Sequence, residues 1–301
     1  MRVAIAGLGL IGGSAGIAWR AAGHTVVGYA RRSETRRLAL ERGAVDEAPE
    51  TLDAIAGAAV VVLAAPVLAV RDLLARLAPR LVPGTVVTDV ASTKRCVERW
   101  AGELLPPGVA YVGGHPMAGK ETAGIEYADG DLFRERTWCV VPPAGAPGEA
   151  VQAVTRLALD AGSRPLLMDA VEHDRAVAAT SHLTFMAAAA LCETVVAGEH
   201  FREQAAVAGS GLRDTTRLAS GDPLMHRDIC LTNRDFLVQA LEAFAERIGA
   251  VTALLRSQPP PEAITGGPAD PPAAAGLERY FVDLKVARDE WLSRPVPDRP
   301  A

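Results

Sequence analysis

Residues 7–14 read Gly7-Leu8-Gly9-Leu10-Ile11-Gly12-Gly13-Ser14. The stretch follows the β-rich run Arg2-Val3-Ala4-Ile5-Ala6 and opens a helical segment that reaches Gly23. A G-x-G-x-x-G between a first strand and a first helix is the phosphate-binding turn of a dinucleotide fold. Gly7 makes the turn, Gly9 lets the backbone approach a pyrophosphate, and Gly12 lets helix and strand pack closely. Leu8, Leu10 and Ile11 complete the predicted cofactor-binding turn. An anion there would meet backbone amides at the positive end of the helix dipole. A glycine-rich turn without a ligand is the competing reading.

Outward from this turn, strand and helix signals alternate. Strands are expected at Thr25–Tyr29, Val60–Leu63, Thr85–Val90, near Tyr111, at Trp138–Val141 and at Arg164–Met168. That alternation predicts an α/β fold, a parallel, doubly wound (Rossmann) sheet. Ala65 and Pro66, just past the third strand, are expected to line the cofactor site. The second strand ends in Ala30-Arg31-Arg32-Ser33, with no carboxylate to accept from a ribose 2′-hydroxyl. Two guanidiniums there suit a 2′-phosphate, so NADP is expected over NAD, with NAD remaining possible. Solvated surface charges are the alternative reading of Arg31 and Arg32.

The character changes near Asp169. Residues 171–197 are alanine-rich and lack proline, and a second long helical pattern runs from Met225 to Leu255. Residues 257–275, rich in proline, glycine and alanine, read as a linker, followed by a last helix over 277–292. The expected division is a dinucleotide-binding domain over 1–169 and an all-helical substrate and dimerisation domain over 170–301. A monomeric helical bundle is the alternative to a homodimer.

With 301 residues, 49% hydrophobic and 22% charged, the chain can bury a substantial core. A net charge of -5, the lack of a basic block and only 5% aromatic residues argue against nucleic acid. Cys96, Cys139, Cys192 and Cys230 form no C-x-x-C pair, which predicts reduced thiols in a cytoplasmic protein and no metal site. Glycines interrupt the apolar stretch Val3–Trp19, and Gly57 and Pro66 interrupt Ala54–Val70, so neither is expected to act as a signal or to span a membrane.

The candidates for chemistry cluster around Gly113-Gly114-His115-Pro116-Met117-Ala118-Gly119, read as a loop past a strand end. In the motif Thr88-Asp89-Val90-Ala91-Ser92-Thr93-Lys94, the part from Asp89 lies just after a strand and would bring Ser92 to the same crevice, unless Ser92 is only a helix N-cap. The helical half adds His173-Asp174, Ser181-His182-Leu183 and Arg213-Asp214-Thr215-Thr216-Arg217. With these motifs in this order, the chain resembles the prephenate/arogenate dehydrogenase family of tyrosine biosynthesis over nearly its whole length.

The resemblance implies oxidative decarboxylation of a small cyclohexadienol acid with hydride transfer to NAD(P). His115 would be the base, suited by an imidazole pKa of about 6.5, and Ser92 would bond the substrate hydroxyl. Arg217 would grip the side-chain carboxylate, with Arg213 the weaker candidate. Glu121 would stand near the entrance, or be a plain surface glutamate. His182 would face the crevice in a supporting role, and His173-Asp174 would order the interdomain helix. The family's Ser-His-Leu-Pro-His becomes Ser181-His182-Leu183-Thr184-Phe185 here, so Phe185 replaces a polar contact in the substrate site. His226 stands where a tryptophan is common. Both departures leave open prephenate, arogenate and a 4-amino-4-deoxy analogue. A β-hydroxyacid dehydrogenase or imine reductase, or a non-catalytic NADP sensor, is the competing reading. The absence of lysine over 171–197 weighs against the lysine-dependent version.

Overall fold

The computed structural model describes residues 1–120, 122–260 and 275–293. Its first sheet holds β1 (Arg2–Ala6), β2 (Thr25–Tyr29), β3 (Val60–Leu63), β4 (Val86–Asp89) and β5 (Ala110–Tyr111), all parallel, in the order β2-β1-β3-β4-β5. The connecting helices are α1 (Leu10–Ala21), α2 (Ser33–Glu41), α3 (Val67–Leu77) and α4 (Arg95–Leu104). The Val-rich strands are buried on both faces, as crossover helices require. On one face Ile5 and Val62 pack with Trp19, Phe133 and Trp138. On the other, Leu63 packs with Leu74, Trp100 and Tyr111. The chain leaves β1 for β2 on one side and returns through β3 on the other. The carboxyl ends of β1 and β3 therefore frame the ligand crevice.

The predicted single parallel sheet is not continuous. A second sheet holds β6 (Gly113–Pro116), β7 (Thr137–Val141) and β8 (Arg164–Leu167), with β6 antiparallel to β7 and α5 (Gly148–Asp160) between β7 and β8. The motif read as a loop is thus itself a strand: His115 opposes Cys139 and is only 9% exposed. The glycines explain the geometry, since a side chain on Gly114 would collide with the Asp89 carbonyl.

The helical part contains α6 (Ala170–Val177), a π-helical turn over Ala178–His182, α7 (Leu183–Val196), α8 (Phe201–Ala206) and α9 (Ser210–Thr216). A 3-10 turn over Arg217–Ser220 follows, then α10 (Pro223–Thr232), α11 (Arg234–Arg256) and α12 (Ala275–Ser293). Asp169 caps α6, accepting from the amides of Val171 and Glu172 at 2.8 Å each. Asp222 caps α10 through the Met225 amide. The helix expected over 225–255 is broken at Asn233, whose backbone leaves the helical region (φ -126, ψ 30). Of the expected linker, residues 261–274 lie outside the described residues.

One compact unit covers residues 1–237 and groups α6–α10 with the sheets; a second begins at Val238. In the second, α12 exposes Phe281, Leu284 and Trp291. Among the described residues, Ala170–Val196 has the length and composition of a membrane span. It carries His173, Asp174 and His182, all buried in the protein interior.

Candidate active site

The glycine turn opens onto a cleft of about 670 Å³ lined by Gly7, Leu8, Gly9, Ala30, Arg31, Arg32, Ala65 and Pro66 among others. Gly7 has φ +115°, and a side chain there would strike the Ala64 carbonyl. Gly9 faces open space, and α1 begins at it with no side-chain cap. Its first amides are therefore available to an anion. These features fit a dinucleotide pyrophosphate. Leu10, Ile11 and Gly12 do not line the cleft. Gly12 serves packing instead, since a side chain there would strike the Gly7 carbonyl, while Leu10 is buried and Ile11 packs on the core. Arg31 and Arg32 share the cleft with Arg76 and Asp72 from α3. Sequence reasoning missed that pair because only the fold brings α3 beside the end of β2.

His115 sits in a buried polar cluster. Its Nδ1 lies 2.8 Å from His173 Nε2, and His173 Nδ1 lies 2.8 Å from Asp174 Oδ1. Asp174 also accepts from the amides of Lys94 (2.7 Å) and Arg95 (3.1 Å) and from Arg95 Nε (3.2 Å). His173-Asp174 therefore does more than order a helix: it contacts the predicted base directly. Lys94, fully buried, pairs with Asp89 and donates to the Gly114 carbonyl at 2.8 Å. Asp89 also accepts from Tyr111 at 2.7 Å. Burial, reinforced by His173, Lys94 and His182, holds the His115 pKa well below the usual imidazole value. Ser92 is half-buried, and the N-cap of α4 is Lys94, so Ser92 does not cap that helix.

On the helical side, the π-helical turn presents His182, 1% exposed, with its ring 6.1 Å from Phe185. Phe185 stacks on His226 at 4.1 Å. Asn233 orients His182. Its Oδ1 accepts from Arg95, so its Nδ2 donates to the Asp174 carbonyl (2.7 Å) and to His182 Nδ1 (3.2 Å). The proton of neutral His182 is then on Nε2, a buried donor with no partner among the described residues. Burial pushes the His182 pKa down to about 4. Asn233 has no sequence signal beyond a polar residue in an apolar helical pattern. Arg217 is exposed on the 3-10 turn, which packs against α7, and Arg213 is exposed on α9. Glu121 lies outside the described residues.

Two family models match: "Prephenate dehydrogenase, nucleotide-binding domain" over residues 15–167 and "Prephenate dehydrogenase, dimerization domain" over 169–264. The chain is 30% identical over 292 residues to a prephenate dehydrogenase of Bacillus subtilis, covering 95% of this chain and 75% of that protein. It is 32% identical to a cyclohexadienyl dehydrogenase of Zymomonas mobilis, covering 85% and 89%. Among solved structures, Synechocystis arogenate dehydrogenase superposes with a TM-score of 0.80 at 29% identity, covering 97% of this chain and all of that one. Prephenate dehydrogenase from Aquifex aeolicus, in complex with hydroxyphenyl propionate and NAD+, gives 0.85 at 27% identity, covering 96% and 98%. A solved structure from Ralstonia solanacearum, with a TM-score of 0.52 at 17% identity, shares the fold alone. With both domain models matched in order on a glycine-turn cleft and a buried histidine cluster, this chain belongs to the prephenate dehydrogenase family.

Proposed function

We propose that His115 is the base in the reaction this chain catalyses, the oxidative decarboxylation of prephenate or arogenate with a nicotinamide dinucleotide as hydride acceptor. The observation that carries the assignment is the burial of His115 as a neutral imidazole within the His173, Asp174 and Lys94 cluster. A base held below the usual imidazole pKa stays unprotonated at neutral pH and accepts the ring hydroxyl proton as the carbonyl develops. Ser92 bonds the same hydroxyl and orients the ring. His182 donates from Nε2 to a polar substrate group, and Arg217 binds the side-chain carboxylate, with Glu121 beside the entrance. Phe185, stacked on His226, forms an apolar wall where related enzymes place a histidine.

The dinucleotide, when bound, supplies the hydride acceptor. Gly7, Leu8 and Gly9 hold its pyrophosphate, with Leu10, Ile11 and Gly12 shaping the turn behind them. Ala65 and Pro66 line its path, and Arg31 and Arg32, with Arg76, favour NADP over NAD by supplying positive charge for a 2′-phosphate. A boundary between dinucleotide-binding and helical segments at 169/170 is supported by the Asp169 cap that starts α6 there. The exposed apolar face of α12 supports a homodimer, and the four free cysteines suit the cytoplasm. Reduced-dinucleotide absorbance at 340 nm, followed with prephenate or arogenate and NADP or NAD, tests this reading in four combinations. Turnover fastest with NADP supports it. No turnover with either acid overturns it.

A further inference from the structure

The proton placement in the buried cluster follows from which groups can only accept. The Asp174 carboxylate takes donors from Lys94 N, Arg95 N, Arg95 Nε and His173. Burial pushes its pKa up, but the hydrogen bonds from His173 and the Lys94 amide outweigh this and hold it below the ordinary aspartate value. The carboxylate therefore has no proton to give, and the hydrogen between it and His173 belongs to Nδ1 of the imidazole. Burial keeps His173 neutral, against the opposing pull of Asp174. A neutral imidazole with its proton on Nδ1 offers a lone pair at Nε2, so the 2.8 Å contact to His115 is a bond donated by His115 Nδ1–H. His115 is left with its lone pair on Nε2, since its bond to His173 is made from Nδ1.

We infer that His173 and Asp174 are positioning residues for the base: they hold His115 as the Nδ1–H tautomer, so that Nε2 is the atom that takes the substrate proton. This rests on His115 being the base. The opposite tautomer would carry a proton on Nε2 and could not accept another there. When the substrate hydroxyl gives its proton to His115 Nε2, both ring nitrogens carry hydrogen. The Nδ1–H bond to His173, backed by the Asp174 anion, then stabilises the imidazolium. Both residues are fully buried, and no solvent competes for these bonds. The surrounding charges are fixed: Lys94 is held by Asp89 and the Gly114 carbonyl, and Arg95 by Asp174 and Asp235. His182, with its depressed pKa, is neutral at pH 7.

The test compares His173→Leu, which offers no acceptor, with His173→Gln, whose side-chain carbonyl reaches toward the position of Nε2. His115→Asn serves as the reference for loss of the base. His173→Leu is expected to lower kcat by ~10²–10³-fold, with KM and dinucleotide Kd within about threefold. His173→Gln is expected to restore at least about tenfold of that loss. Long-range ¹H–¹⁵N spectra of histidine-labelled enzyme at neutral pH provide a second readout, with the His115 signals assigned by their loss in His115→Asn. Wild type should show the Nδ1–H tautomer of His115. An Nε2–H tautomer in wild type overturns the inference even if His173→Leu fails to fold. So does wild-type kcat in a folded His173→Leu enzyme when His115→Asn is impaired. If His115→Asn itself keeps wild-type kcat, it is the assignment of the base that fails.

Discussion

Acid should destabilise this protein through His182, and the size of the effect can be worked out. The His182 side chain is 1% exposed and its pKa is pushed down to about 4, chiefly by burial. In the unfolded chain it titrates near 6.5. Between these values the unfolded state binds a proton that the native state refuses, so stability present above pH 6.5 is lost as pH falls toward 4. Linkage over that interval gives about 2.5 kcal/mol lost by pH 4.5 from this one group. The perturbation is His182→Gln, which keeps a polar side chain beside Asn233 and does not titrate. Urea unfolding is followed at pH 7.5 and 4.5 by fluorescence of Trp19, Trp100 and Trp138, all in the core. His115 and His173 are also held neutral by burial and are present in both proteins, so the difference reports His182 together with its coupling to them. Wild type should lose about 2 to 3 kcal/mol more than the variant between the two pH values. Equal losses would refute the buried neutral imidazole, and with it the Nε2 donor assigned to His182.

Four other outcomes are expected. His115→Asn should lower kcat by ~10²–10⁴-fold with dinucleotide affinity intact in a fluorescence titration; activity within a few-fold of wild type counts against the base. Arg217→Ala should raise KM far more than it lowers kcat, because the bound carboxylate is the same before and after reaction; an unchanged KM removes Arg217 from the substrate site. Replacing Arg31 and Arg32 together by serine should lower kcat/KM for NADP by at least about tenfold, the loss of a charge-assisted phosphate contact, and leave NAD within about threefold; equal losses with both would mean the arginines are surface charges. Lys94→Met should cost ~3–5 kcal/mol in chemical denaturation, because it leaves Asp89 buried without its cation; a variant as stable as wild type would show that Tyr111 and the Ala91 amide satisfy Asp89 alone.

The glycine turn was legible because its logic is local: a turn, a close approach and a packing contact within six residues of chain. The alternation of strands and helices was legible for the same reason. Two readings failed where a distant neighbour decided the outcome. Residues 113–116 read as a loop, since glycine and proline are poor strand formers, yet pairing with Thr137–Val141 makes them a strand. The pattern from Met225 to Leu255 read as one helix, yet Asn233 breaks it to reach Asp174 and His182. The candidate site divides in the same way. His115, Ser92 and the helical motifs were visible in short segments. The bond between His115 and His173 spans 58 residues, and that between Asn233 and Asp174 spans 59, with no periodicity to announce either. Arg76 and Asp72 stayed hidden because the cleft that they line exists only once α3 lies beside the end of β2.

The segment after β4 explains why the two halves of the site hold a common geometry. Within six residues, Asp89 pairs with Lys94, and the Lys94 amide anchors Asp174 on α6. The neighbouring Arg95 reaches Asp174, Asn233 and Asp235, and the Thr93 hydroxyl meets that of Thr232 on α10. This short run joins the sheet to α6, to the C-terminal end of α10 and to the start of α11. The same bonds set the protons of two imidazoles in opposite senses. Through Asp174 and His173, His115 keeps its lone pair on Nε2. Through Asn233, His182 keeps its proton on Nε2. On this reading one presents an acceptor and the other a donor, although burial depresses both pKa values. A hydrogen-bond acceptor and a donor built from two like side chains cannot be separated by pKa alone in such a site. The direction of one hydrogen bond at each Nδ1 separates them, and both directions trace back to the polar run that begins at Asp89.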